Sequence, residues 1–142
     1  MKNRKLVVVA ILLAGITSGT NAQSYFTSHP VEGPAHKAKI VQNYLACLSS
    51  VNEGTVESAM AQIAWLQLSN PNVDLAALKS QIDDLARKGS TPLIRYKAYL
   101  TGAVLDDVML FQDVSRGSYN EPDEMYLAVS SRLSQTVLSA GQ

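Results

Sequence analysis

Apolar residues recur three and four positions apart in five windows of this chain, and prolines and glycines punctuate the gaps between them. That spacing lays them along one face of a helix with 3.6 residues per turn. The first window predicts a helix over Ala35–Ser50, with Ile40, Val41, Tyr44, Leu45 and Leu48 on its apolar face. A second helix starts near Asn52, a side chain suited to capping, carries Glu53 and Glu57 toward its N-terminal dipole, and stops at Pro71. Val56, Ala59, Met60, Ile63 and Leu66 form its stripe, and Trp65 falls off centre, at an edge of the core. The third helix is read from a capping Asp74 to Gly89, with Leu75, Leu78, Ile82 and Leu85 facing inward and Arg87 and Lys88 in the last turn, where cations suit the dipole. The fourth opens with Ser90 or Thr91 as cap and Pro92 at the first helical position, and continues to about Phe111. Apolar residues cover most of its circumference, which predicts packing from more than one side. A fifth runs from Asn120-Glu121-Pro122 to about Ser139 on a stripe of Met125, Val129, Leu133 and Val137. No window argues for strands. The fold class predicted is all-α, with a single helical domain over residues 35–142.

Two segments precede those helices. Residues 23–34, "QSYFTSHPVEGP", hold two prolines and a glycine and no periodic pattern, and are read as an extended, partly mobile N-terminal arm. Residues 1–22 have the layout of a secretory signal peptide: Lys2, Arg4 and Lys5, an uncharged stretch from Leu6 to Ile16, then Thr20 and Ala22 at −3 and −1 of a cut before Gln23. The apolar run is well short of the ~20 residues a spanning helix needs. The expected product is exported, periplasmic or secreted, with no stable membrane span after cleavage.

Charge narrows the partners. Without Lys2, Arg4 and Lys5, nine basic residues face twelve acidic ones. That balance disfavours nucleic acid, whose nonspecific binding depends on neutralising phosphates. Cys47 is the single cysteine, so no internal disulfide framework exists and stability must come from packing. It lies in "NYLACLSSV" among apolar neighbours and reads as a small buried hydrophobe.

The helices also hint at repetition. An offset of 39 residues aligns Ala59 with Ala98, Ala64 with Ala103 and Leu66 with Leu105, and sets Asn52 over Thr91, cap over cap. The pattern "NEGTVESAMAQIAWLQ", a further helix, then "STPLIRYKAYLTGAVLDD" resembles HEAT-like helical hairpins across Val51 to Phe111. It is also similar to small exported bacterial helical proteins of unassigned activity. The resemblance implies an α-solenoid fragment with its outer helices as caps, and it carries no catalytic residues.

Chemistry-bearing patterns are sparse. His29 and His36 are the only histidines, seven apart in "HPVEGPAH", where Glu32 completes a nominal ligand trio. A solvated irregular arm is the better reading, and neither a metal nor any cofactor is expected. Asp83-Asp84 and Asp106-Asp107 are adjacent on helices and diverge, so one member of each pair is expected to point outward and the other toward a cation on a neighbouring helix. No nucleophile elbow or glycine-rich phosphate loop is present. No catalytic residue is assigned. The sequence favours a noncatalytic module that binds another protein or further copies of itself, or serves an envelope structural role. The alternative is a small-ligand or hydrolytic protein with a pocket beside the fourth helix, using Arg95, Tyr99 and an acid.

One stretch concentrates the candidate residues. "TPLIRYKAYL", Thr91–Leu100, sets an arginine, a lysine and two tyrosines on the fourth helix. Arg95 and Lys97 diverge by about 160° on an ideal helix, so they make no common basic patch. The wheel assigns Lys97 and Thr101 to solvent and predicts that Arg95 lays its stem over the core to reach Glu57. Tyr96 and Tyr99 are expected to bury their rings and bond their hydroxyls at the core edge. Arg95, Tyr96, Tyr99, Glu57 and Trp65 are thus the candidate anchor or interaction residues.

Overall fold

The computed structural model describes residues 24–142, and the leader read over residues 1–22 lies outside them. Five helices follow the arm: α1 Gly33–Leu48, α2 Glu53–Ser69, α3 Ala76–Lys88, α4 Pro92–Asp106 and α5 Pro122–Ala140. Two 3-10 turns, Val108–Phe111 and Val114–Arg116, link α4 to α5, and no strand occurs among the described residues. The all-α expectation holds.

Local chemistry sets the helix ends. The Asn52 side chain accepts from the Thr55 amide and Thr91 accepts from the Ile94 amide, so α2 and α4 begin on equivalent caps. Asp74 acts one residue further out than expected: its Oδ1 accepts from the Ala76 amide, and Leu75 holds the cap position. The fourth helix stops at Asp106, short of the expected Phe111. Asp107 leaves helical geometry, and its carboxylate accepts from the Leu110 amide, starting the first 3-10 turn instead. Buried Gln67 donates to the carbonyls of Asn70, Pro71 and Val73, which shapes the turn between α2 and α3.

Packing forms two cores that share a wall. On one side α1 and α3 cover α2 and α4, burying Leu48, Met60, Ile63, Leu78, Ile82 and Ile94. On the other, α5, the 3-10 turns and the arm cover α2 and α4, burying Phe26, Trp65, Leu100, Phe111 and Met125. Helices α2 and α4 are therefore sandwiched, which is why apolar residues surround α4 and why α2 carries Trp65 on a second face opposite its main stripe. Trp65, Phe111 and Tyr126 are all buried, so no apolar surface patch forms around them.

The rotation of α4 overturns the wheel reading. Lys97 and Thr101 face inward, while Tyr96 and Tyr99 stand largely in solvent. A helix apolar all round has no single phase for periodicity to find. Helix packing decides it: Gly102 lies against α3, where a Cβ would be 3.5 Å from Asp83 Oδ1 and 3.7 Å from Ile82 Cγ2. Small residues turn toward the neighbouring helices, and the tyrosines are left outside.

The arm is irregular, as expected, yet it is fastened along its length. Phe26 is buried, the Tyr25 amide donates to the Tyr119 carbonyl at 2.8 Å, and Asn70 holds the next residues. The chain then turns into α1 through Gly33, whose φ of 76° lies in the left-handed region that favours glycine.

Candidate functional site

The sequence candidates do not converge on one site. Glu57 is paired, but with Lys97 instead of Arg95. Lys97 Nζ lies 2.6 Å from Glu57 Oε2 on α2 and 2.8 Å from Asp123 Oδ1 on α5, with the side chain only 9% exposed. It also sits 5.8 Å from the centroid of the Tyr126 ring. Burial pulls the ammonium pKa down, and the hydrogen bonds to Asp123 and Glu57 outweigh that, leaving it above its ordinary value. Beneath it, Thr101 Oγ1 donates to the Lys97 carbonyl and the Tyr126 hydroxyl donates to Thr101. Burial pushes the Tyr126 phenol far up. This network ties three helices together.

Arg95 turns the other way. Its guanidinium donates to the Gly89 carbonyl at 2.8 Å and closes the turn between α3 and α4. Lys97 reaches Glu57 because it lies on the inward stripe of α4; Arg95 does not. A lysine two residues from an expected anchor was the available signal, and the assumed phase hid it.

Tyr99 lines a groove of ≈ 320 Å³ with Asp83, Asp106 and Asp107. At its rim, Lys79 Nζ bridges Asp83 at 2.6 Å and Asp106 at 3.2 Å. The hydrogen bond from Asp83 raises the Lys79 pKa, burial opposes it, and Asp106 adds to the rise. Asp106 thus meets a cation on a neighbouring helix, as its pairing with Asp107 suggested. Arg95 does not line this groove, so the expected combination of Arg95, Tyr99 and an acid is absent there.

Tyr96 stands on a different surface. With Leu93 and Leu127 it lines an open groove of ≈ 270 Å³ between α4 and α5. Leu93 is 50%, Tyr96 49% and Leu127 69% exposed. The Tyr96 hydroxyl shares a hydrogen bond of 2.9 Å with Ser130 Oγ, fixing the ring across the groove. Lys97 and Asp123 close one side, so an apolar strip lies beside an ion pair whose acid is largely solvent-facing.

A concavity of ≈ 620 Å³ lies between the arm, α1 and α2. Its walls include His29, Glu32, Asn43, Tyr44, Gln62 and Trp65. Both histidines face it, but each is engaged: His29 Nε2 pairs with Thr27 Oγ1 at 2.9 Å, and His36 Nδ1 accepts from the Glu32 amide at 3.0 Å. The described residues contain no group of three or more His, Cys, Asp or Glu placed to hold a metal. Burial raises the Tyr44 phenol, helped by the charged forms of Cys47 and Tyr25. Trp65 stacks on Phe26 behind this wall, and its indole Nε1 has no acceptor among the described residues. Phe26 was not singled out in the sequence. A phenylalanine in an otherwise polar, proline-bearing arm was the signal for it.

No family model matches the chain, and neither the curated proteins nor the solved structures gave a match.

Proposed function

We propose that the chain is an exported, noncatalytic helical module that acts by binding another protein through the strip between α4 and α5. The exposure of Leu93, Tyr96 and Leu127 along one groove carries this reading. Large apolar side chains aligned on a surface, with a polar rim, favour association. The frame beneath them supports a HEAT-like reading. Helices α2 and α4 start 39 residues apart on equivalent side-chain caps, and their partners α1 and α3 end at Leu48 and Lys88. Contacts run within the hairpins, α1 on α2 and α3 on α4, and between them, α1 on α3 and α2 on α4. Such contacts are those expected of a two-hairpin solenoid, in which the arm and α5 would close one side.

Export rests on the leader pattern of residues 1–22, and N-terminal sequencing of the released protein should begin at Gln23. No helix of the described residues is long and apolar enough to cross a membrane. The functional test is affinity capture from the native envelope fraction, run in parallel with the Leu93→Asp/Leu127→Asp variant. One stoichiometric partner held by the wild type and lost by the folded variant supports the reading. Equal recovery by both, or monomer with no partner, overturns it. Dimers in light scattering that the variant dissolves would assign the strip to a second copy.

A small-ligand role has a specific observation of its own in the 620 Å³ cleft, whose size suits a small ligand. It adjoins the arm, α1 and α2, away from the fourth helix.

A further inference from the structure

The cleft between the arm, α1 and α2 has a wall that already binds an extended peptide backbone. Asn70, which also lines the cleft, accepts from the Val31 amide through Oδ1 and donates from Nδ2 to the His29 carbonyl, each at 3.4 Å. One carboxamide thus reads a donor and an acceptor two residues apart on the arm, whose own polar groups are thereby satisfied. A side-chain amide offers the same complementary pair as a backbone peptide group.

Two further carboxamides line the same cleft with no such use. Asn43 on α1 and Gln62 on α2 make no side-chain hydrogen bond to another described residue, and the hydroxyl of Tyr44 in the same lining makes none either. Their positions on two different helices aim neutral donors and acceptors at one volume. Ile40, Leu66, Pro30 and Trp65 supply apolar surface around them.

Charge limits the occupant. No lysine or arginine lines the cleft, and Glu32 stands at its edge. The two imidazoles that face the cleft are engaged by Thr27 and the Glu32 amide, so a free carboxylate would find no lysine or arginine there and would face a like charge, which favours an uncharged ligand. Nucleotides and other phosphates are disfavoured for the same reason. A volume of ≈ 620 Å³ holds two or three residues of a peptide with apolar side chains.

We propose that this cleft binds a short, uncharged peptide segment, with Asn43 and Gln62 reading its backbone amides as Asn70 reads those of the arm. The inference is independent of the α4–α5 strip. It gives the molecule a second binding surface that shares no lining residue with that strip.

Trp65 is the only tryptophan in the chain and lines the cleft, so its emission reports occupancy with tryptophan-free probes. The probe is N-acetyl-Ala-Leu-Ala amide, titrated into the whole exported chain alongside its free-acid form and N-acetylglucosamine. We expect a saturable change with the blocked peptide, weakened about tenfold in Asn43→Ala and again in Gln62→Ala, as loss of one neutral hydrogen bond predicts. The free acid should bind more weakly. Asn43 is exposed and bonds no described residue, so its truncation leaves the fold intact; matching far-UV dichroism and amide NMR spectra verify this. No saturable change up to millimolar peptide, wild-type affinity retained by both variants, or binding of the sugar in place of the peptide would each overturn the assignment.

Discussion

Phe26 stacks on Trp65 with ring centroids 5.1 Å apart and planes 24° from parallel, so the arm supplies a wall of one core. Tyr119 meets both rings edge-on, 6.5 Å from Phe26 and 6.1 Å from Trp65. Phe26→Ala should cost about 3–5 kcal/mol, the usual loss for a buried phenylalanine. The emission of Trp65 should shift to the red as water reaches it. Unchanged emission together with an unchanged denaturation midpoint would show that the arm contributes nothing to the core.

Lys97 and Arg95 exchange the ranks the sequence assigned them. Lys97→Met removes two charged hydrogen bonds and leaves Glu57, half-buried, without a cation; a loss of about 1.5–3 kcal/mol is expected. Arg95→Met removes one bond to a carbonyl and should cost about 1 kcal/mol. Urea midpoints of the two variants measure the order directly, and the reverse order would contradict the observed rotation of α4.

Alkaline pH should weaken the fold. Lys97, Lys79 and the phenols of Tyr44, Tyr119 and Tyr126 all have native pKa values raised above their ordinary 10.5 or 10.0. Above about pH 10 the unfolded chain has released protons that the native chain keeps, so unfolding free energy falls as pH rises. Their contribution is whole below that range and lost through it. Tyr126→Phe should cost about 1 kcal/mol at pH 8 through its lost bond to Thr101, and should flatten the alkaline decline. Parallel declines in wild type and variant between pH 9 and 11 would count against the buried phenol.

Two glycines should respond oppositely to alanine. A Cβ on Gly89 would lie 2.7 Å from the Leu85 carbonyl oxygen and 2.8 Å from Ile94 Cγ2, forcing the turn between α3 and α4 open. At Gly102 it would sit 3.5 Å from Asp83 Oδ1 and 3.7 Å from Ile82 Cγ2, which is ordinary contact. Gly102→Ala should therefore be neutral or stabilise by up to about 1 kcal/mol through helix propensity. Gly89→Ala should destabilise, and thermal melts of the pair separate the two cases.

Helix existence, order and the caps of α2 and α4 were legible because spacing, proline and capping side chains act within a few residues. Asn52, Thr91 and Pro92 behave as their positions suggest. The phase of α4 was not legible, since an apolar residue on every side leaves rotation to be set by how closely α3 approaches Gly102. That one unknown displaced Lys97 to solvent, buried Tyr96 and Tyr99, and gave Glu57 the wrong partner. The cleft beside the arm was hidden for another reason: its walls come from the arm, α1 and α2, and Asn43, Gln62 and Asn70 form no motif until the chain folds. Trp65 was noted, but its stacking partner lies 39 residues earlier in a segment without periodicity.

The fastening of Tyr25 to Tyr119 has a kinetic consequence. Hairpins of neighbouring helices form from contacts close in sequence, and pairing α3 with α4 needs little loop closure. The bond between Tyr25 and Tyr119 closes a span of more than ninety residues, and its site exists only after the 3-10 turns and α5 have docked. The arm is therefore expected to seat late, so that substitutions at Phe26 accelerate unfolding and leave the refolding rate nearly unchanged. The earliest of the described residues to be synthesised would be among the last to reach their native contacts.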